Sequence, residues 1–184
     1  MVGIFSIDWT LRRRPAQRVE HIEREKDIVD RARKIRGNAE REIHCIWCSM
    51  DYGTDLQKYF SEFRGIKPTV YRLVNVRKQG PHMVNHLEQF ISEIKDYKYI
   101  VTSTRHEAFE FFVADKGELL LLIPHPTKYG ICEGIYSCMP GFAYAVYQMY
   151  QQLAAAGNTL VIPAAATDAE ASIIIREWVR SCSV

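Results

Sequence analysis

The sequence predicts an α/β fold, a mixed, mostly parallel sheet flanked by helices. Three observations carry this. In the first half, segments of helical period alternate with short apolar runs, the pattern of parallel strands joined by covering helices. In the middle, several strand-like runs follow one another with only tight turns between them, which adds antiparallel pairs. Two further amphipathic helices close the chain. A length of 184 residues, 47% of them hydrophobic and 25% charged, suits one soluble domain with a sizeable core.

Residues 1–14 have no clear period and end in Arg12-Arg13-Arg14, so they read as an arm or linker ahead of one domain over 15–184. A helix is expected over 15–38, opened by Pro15 and stopped by Gly37-Asn38, with Val19, Ile22, Ile28, Val29, Ala32 and Ile35 at helical spacing. Residues 42–50 (EIHCIWCSM) read as a buried strand. A helix follows over 55–63, with Leu56, Tyr59, Phe60 and Phe63 on one face and Gly65 at its end. Residues 69–76 form the next strand by their Val, Tyr and Leu content. A helix is predicted over 81–95, with Pro81 at its start. Strands are predicted over 99–104, 108–114, 119–123 and 131–137, with Lys116-Gly117 as the tight turn of the hairpin. Pro140 opens a helix to about Ala155, stopped by Gly157-Asn158. A short strand over 159–163 and a helix over 168–181, capped by Thr167 or Asp168, complete the chain.

Charge points to no partner class. The net charge is +2, and residues 1–41 hold eleven Lys/Arg against seven Asp/Glu, a mild basic bias that suits a solvated helix face. The opening residues do not have the order of a signal peptide, and the longest apolar run, 119–123, is far too short to span a membrane. A cytoplasmic location with five reduced cysteines is expected. Cys45 and Cys48 form a CxxC, but on a strand their sulfurs face opposite ways, so structural thiols are expected. His82 and His86 are four apart on one helix face without the HExxH pattern, and an exposed polar first turn is the expectation there. No metal and no cofactor are predicted.

The most informative stretch is 105–124, RHEAFEFFVADKGELLLLIP. It resembles the strand pair that carries the H-x-K-x-x-x-x-D motif of phospholipase D-like domains. Two further segments extend the likeness: DIVDRARKI leading into EIHCIWCSM, and the proline-opened helix in SCMPGFAYAVYQMYQQL. The resemblance covers most of the chain, from about Val19 to Leu153. In active members the motif histidine is the nucleophile and the lysine binds the phosphate. Here those positions hold Ala108 and Glu110, and only Asp115 remains. Pro124-His125 stands in place of the small polar residues that usually follow. Asp115 then reads better as a turn or structural carboxylate than as a catalytic remnant.

The resemblance implies a degenerate single repeat. Because the family packs two repeats face to face, it also implies a homodimer. Archaeal sugar-sensing transcriptional regulators contain a similar degenerate domain. A non-catalytic ligand-sensing, regulatory or assembly module is therefore the leading expectation, with a small molecule or a protein as partner. One alternative is a divergent phosphodiesterase or nuclease using His106 across a homodimer. Another is nucleic-acid binding by Arg12–Arg14 and the helix over 15–38. Ligands of α/β sheets bind beyond the carboxyl ends of parallel strands. Asp51, Tyr52, Arg77, Arg105, His106 and Glu110 are the candidate ligand-binding residues, with Met50 and Asn75 on the same rim.

Overall fold

The computed structural model describes residues 18–47, 68–106, 110–124 and 132–183. Seven strands form one mixed sheet: β1 (Val19–Ile22), β2 (Glu42–Trp47), β3 (Thr69–Val74), β4 (Tyr99–Ser103), β5 (Glu110–Ala114), β6 (Glu118–Pro124) and β7 (Cys132–Ser137). Their spatial order is β1-β7-β6-β5-β2-β3-β4. The helices are α1 (Glu25–Asn38), α2 (Val76–Glu88), α3 (Ile91–Lys95), α4 (Pro140–Ala155) and α5 (Asp168–Cys182).

The sheet is mixed as expected, but the parallel share is smaller. Only β2–β3 and β3–β4 run parallel, and the other four pairings of the described strands are antiparallel. Helical crossovers generate parallel neighbours. The middle strands lack such crossovers, and β5 returns beside β2 on the side away from β3.

Alternation along the strands divides the core into two layers. Ile43 and Cys45 of β2 join Val70, Val74, Phe112 and Leu120 in one apolar layer, which α1, α2 and α5 cover through residues such as Ile28, Met83 and Ile175. Ile46 joins Leu73, Phe111, Val113 and Leu119 on the opposite face, under Ala143, Val146 and Tyr150 of α4.

Three expected elements differ. The helix expected over 15–38 begins only at Glu25, because residues 19–22 form β1 and pair antiparallel with β7. Val19 and Ile22 fit either period, but in the strand Ile22 is buried while Val19 is 56% exposed. Pairing satisfies the edge of β7, which a helix would leave open. The helix expected over 81–95 starts earlier, at Val76, and breaks after Glu88 into α2 and α3, so Pro81 lies inside α2. Residues 159–163 form no strand. They keep one bridge, Thr102 to Thr159, and a backbone bond from Leu160 N to Val101 O of 2.8 Å. The helix predicted over 55–63, the C-terminal part of the strand over 42–50 and the start of the strand over 108–114 lie outside the described residues.

The helix expected at the C-terminus is capped by Thr167. Its hydroxyl accepts from Glu170 N at 3.3 Å, while the Glu170 carboxylate accepts from Thr167 N at 2.7 Å. This reciprocal pair satisfies two donors that the first turn cannot satisfy internally.

The β5–β6 hairpin turns one residue earlier than expected. Asp115 and Lys116 are both left-handed (φ 47° and 58°), and Gly117 N donates to Ala114 O at 2.9 Å. The Asp115 carboxylate accepts three successive backbone N–H groups, from Glu40 at 2.8 Å and from Arg41 and Glu42 at 3.0 Å each. Asp115 N donates in return to Glu42 O. This carboxylate therefore ties the exit of α1 and the entry of β2 to the hairpin. Partial burial works against its charge, but the three backbone donors and Arg41 outweigh this and hold its carboxyl below the usual range.

Asp115→Ala is expected to cost about 1–2 kcal/mol, because it removes three backbone hydrogen bonds to one carboxylate and leaves those donors to water. The pH dependence follows from the depressed folded value. The contribution is complete above the unfolded value of about 4 and is lost as pH falls through the folded one. Urea unfolding at pH 7 and pH 3 checks this: the gap between parent and Asp115→Ala should narrow at pH 3. A gap that is unchanged or wider would contradict the assignment.

Candidate functional site

The carboxyl edge of the parallel strands ends in a cleft beside β4. Beyond Ser103 the chain stays on the sheet for one more bond, from Thr104 N to Val74 O at 2.8 Å. It then turns, with His106 N donating to Thr104 Oγ1 at 3.1 Å and Asn75 Nδ2 donating to His106 O at 3.4 Å. On the outer side of β4, the segment after α4 runs along the strand edge. Ser103 N donates to Asn158 O at 2.9 Å, Asn158 N donates to Ser103 Oγ at 3.0 Å, and the Thr102 and Thr159 hydroxyls meet at 2.9 Å. Trp178 of α5 adds its indole N–H to Asn158 O at 3.2 Å.

Beside these contacts opens a cleft of about 460 Å³. Ser103, Thr104, Arg105 and His106 line it from the sheet. The end of α4 and its following turn contribute Leu153, Gly157 and Asn158, and the end of α5 contributes Ser181 and Cys182. The size falls at the lower end of the range for small-molecule sites, roughly 300–1,000 Å³. Three separate pieces of chain build it, and Arg105 and His106 are the predicted site residues it brings together. Arg77 is exposed on the first turn of α2 and does not line the cleft. Asp51, Tyr52 and Met50 lie outside the described residues, as does Ala108.

Glu110 is elsewhere. It opens β5, only 3% exposed, on the sheet face that α1 and α2 cover. The lateral distance from β4 to β5 is three strand spacings, roughly 14 Å. On the same face, Arg72 of β3, itself 3% exposed, centres a buried polar group, and both it and Glu110 act on Cys45 of β2 between their strands. Arg72 Nη1 donates to the Tyr99 hydroxyl at 2.5 Å and to His86 Nε2 at 2.7 Å. A guanidinium only donates, so Nε2 is the accepting nitrogen and His86 is neutral. Burial, with Arg72 beside it, pushes His86 down to about 2. Burial also pushes Tyr99 and Cys45 up to about 12. Cys45 lies between the two charges, its thiolate favoured by Arg72 and disfavoured by Glu110. His86 is therefore not on an exposed first turn as expected. It sits in the last turn of α2 and packs on Phe90, 5.0 Å between ring centres.

A second polar side chain unforeseen as a site lies on the opposite face. His44 is 2% exposed, stacked on Tyr71 at 4.7 Å and met edge-on by Tyr147 and Tyr150, each at 4.8 Å. Burial lowers its pKa, and Glu42 at 3.2 Å opposes this only in part. Both Arg72 and His44 interrupt apolar strands, TVYRLV and EIHCIW. A polar residue at a core-facing strand position is the one signal that could have found them. Among the described residues, no group of three His, Cys, Asp or Glu could hold a metal ion, and no helix is long and apolar enough to cross a membrane.

No known family's sequence profile matches the chain, and no curated protein sequence matches it. Solved structures do. TrmBL2, an archaeal chromatin protein described with a novel mode of DNA binding, superposes with a TM-score of 0.57 at 11% identity, over 78% of this chain and 55% of that one. The chain thus spans about half the length of TrmBL2. Nuc from Salmonella typhimurium, a phospholipase D family member, gives 0.59 at 12% identity, over 79% of this chain and 99% of that one. NucT from Helicobacter pylori gives 0.54 at 10% identity, over 77% and 98%. Identities this low carry the fold alone. The chain has a phospholipase D-like fold, similar both to phospholipase D family members and to an archaeal chromatin protein.

Proposed function

We propose that this chain is a non-catalytic phospholipase D-like domain, a ligand-sensing, regulatory or assembly module whose ligand occupies the cleft beside β4. The observation that carries the reading is Glu110. In the motif register of the sequence it occupies the position of the phosphate-binding lysine, and its carboxylate is buried. A negative charge there repels the phosphate that the family's chemistry must hold. Ala108, at the histidine position, has no nucleophile to offer. The cleft keeps the polar lining and the rim location of a binding site while lying away from β5. Two copies packed face to face, as the single repeat suggests, complete the proposal.

The test is a turnover assay of the purified protein with bis(p-nitrophenyl) phosphate and with single- and double-stranded DNA. The expected result is no hydrolysis above buffer, in parent and His106→Ala alike. Turnover lost on His106→Ala would instead establish a hydrolase working through His106. A thermal-shift screen of small metabolites should raise the melting temperature of the parent but not of Ser181→Trp, which fills the cleft. Light scattering should give the mass of two chains.

A further inference from the structure

We infer that the cleft beside β4 takes a small oxyanion, a phosphate monoester or carboxylate anchored by Arg105. This rests on reading the cleft as the ligand site and names what that site prefers. Arg105 lines the cavity and is exposed, and none of the described lining residues carries a negative charge. The hydroxyls beside it are set to donate. Ser103 Oγ already accepts from Asn158 N, and Thr104 Oγ1 already accepts from His106 N, so each hydroxyl proton is left for a ligand. One guanidinium and two hydroxyl donors in the same lining suit the acceptor-only oxygens of phosphate or carboxylate.

One feature opposes this. α4 and α5 both end at the cleft, and helix C-termini carry partial negative charge, roughly half an elementary charge each. Part of this charge is met within the chain: Ala154 O accepts from Gly157 N at 3.1 Å, Val179 O from Ser183 Oγ at 2.7 Å and Arg180 O from Ser183 N at 3.2 Å. Arg180 stands in the last turn of α5. The full positive charge of Arg105 therefore outweighs what remains of the two dipoles.

Glu110 is not among the lining residues, so its carboxylate does not repel an oxyanion held here. The cavity volume suits a metabolite, and a nucleic-acid backbone would need a groove that tracks successive phosphates.

Isothermal titration at constant ionic strength tests this with inorganic phosphate, inositol and inositol monophosphate, which differ from one another only by the sugar alcohol or the phosphate. Inositol monophosphate and phosphate should bind the parent and inositol should not. Arg105→Ala should weaken phosphate binding about tenfold or more, and Arg105→Lys should weaken it less. Unchanged phosphate affinity in Arg105→Ala, or no phosphate binding at all, overturns the inference. Equal affinity for inositol and its monophosphate also overturns it. If a neutral compound binds and Ser181→Trp abolishes that binding, the cleft remains the ligand site and only the oxyanion preference fails. A single-stranded oligonucleotide that binds more tightly than inositol monophosphate, through Arg105, would overturn the choice of a small anion.

Discussion

Replacing Arg72 with methionine is expected to destabilise the fold by about 3–5 kcal/mol, the usual cost of removing one partner from a buried charged group. Methionine keeps most of the length of the side chain and removes its charge and donors. The buried Tyr99 hydroxyl and His86 Nε2 then lose the Nη1 donor they share. The buried carboxylate of Glu110 loses the cation on the far side of Cys45. Glu110→Leu in the same chain should restore part of the loss, so the double variant should be more stable than the two single costs predict. Urea midpoints at pH 7 measure all three. Costs that simply add would show that Arg72 and Glu110 do not feel each other.

The same variant carries a pH signature. The folded value of His86 is depressed, first by burial and then by Arg72. The unfolded chain therefore binds a proton below about 6.5 that the fold resists, and stability present above that pH is lost as pH falls towards the folded value. His44 adds to the same slope, since burial also lowers it. Removing Arg72 removes only the smaller of the two causes at His86. The loss between pH 7 and pH 5 should therefore persist nearly unchanged in Arg72→Met, because burial alone keeps the folded value of His86 below that window.

The elements legible in the sequence are those whose signals are local. Pro140 marks the start of α4 and Thr167 with Glu170 marks that of α5, because caps and first-turn residues lie next to the helix they open. β1 was not legible, since its reason for being a strand is β7, more than a hundred residues away. Residues 159–163 show the reverse error. Their composition suits a strand, yet only one bridge forms on the edge of β4. The cleft was half legible. Arg105 and His106 follow from the rule about strand ends, whereas the residues from α4 and α5 arrive by tertiary packing. Gly157 shows why: it reads as a helix stop, while its larger role is to let two backbones meet. Asp115 is the clearest case in which the chain's own turn chemistry was a better guide than the family motif, because its three backbone hydrogen bonds explain the residue without any catalysis.

Gly157→Ala should cost about 3 kcal/mol or more, at or above the upper end of ordinary overpacking. An added Cβ would lie 2.0 Å from the Ser103 carbonyl oxygen and 2.8 Å from Thr102 Cγ2. The first of these is backbone inside β4 and cannot rotate away. The segment after α4 would have to lift from the strand edge. That motion would break the paired bonds between Ser103 and Asn158 and strain the bond from Leu160 N to Val101 O. Gly141 provides the control: a Cβ there meets nothing within 4 Å, so Gly141→Ala in α4 should be neutral or stabilise by up to about 1 kcal/mol. At this chain length 3 kcal/mol corresponds to a drop in melting temperature of roughly 6–12 °C. Hydrogen exchange should quicken first at the Ser103 and Leu160 amides, which bridge the two segments. Because Ser103 and Gly157 both line the cleft, the variant should also lose ligand affinity at temperatures where it remains folded. A melting point within about 2 °C of the parent, or unchanged exchange at those two amides, would show that the close approach of Gly157 to β4 does not hold the cleft together.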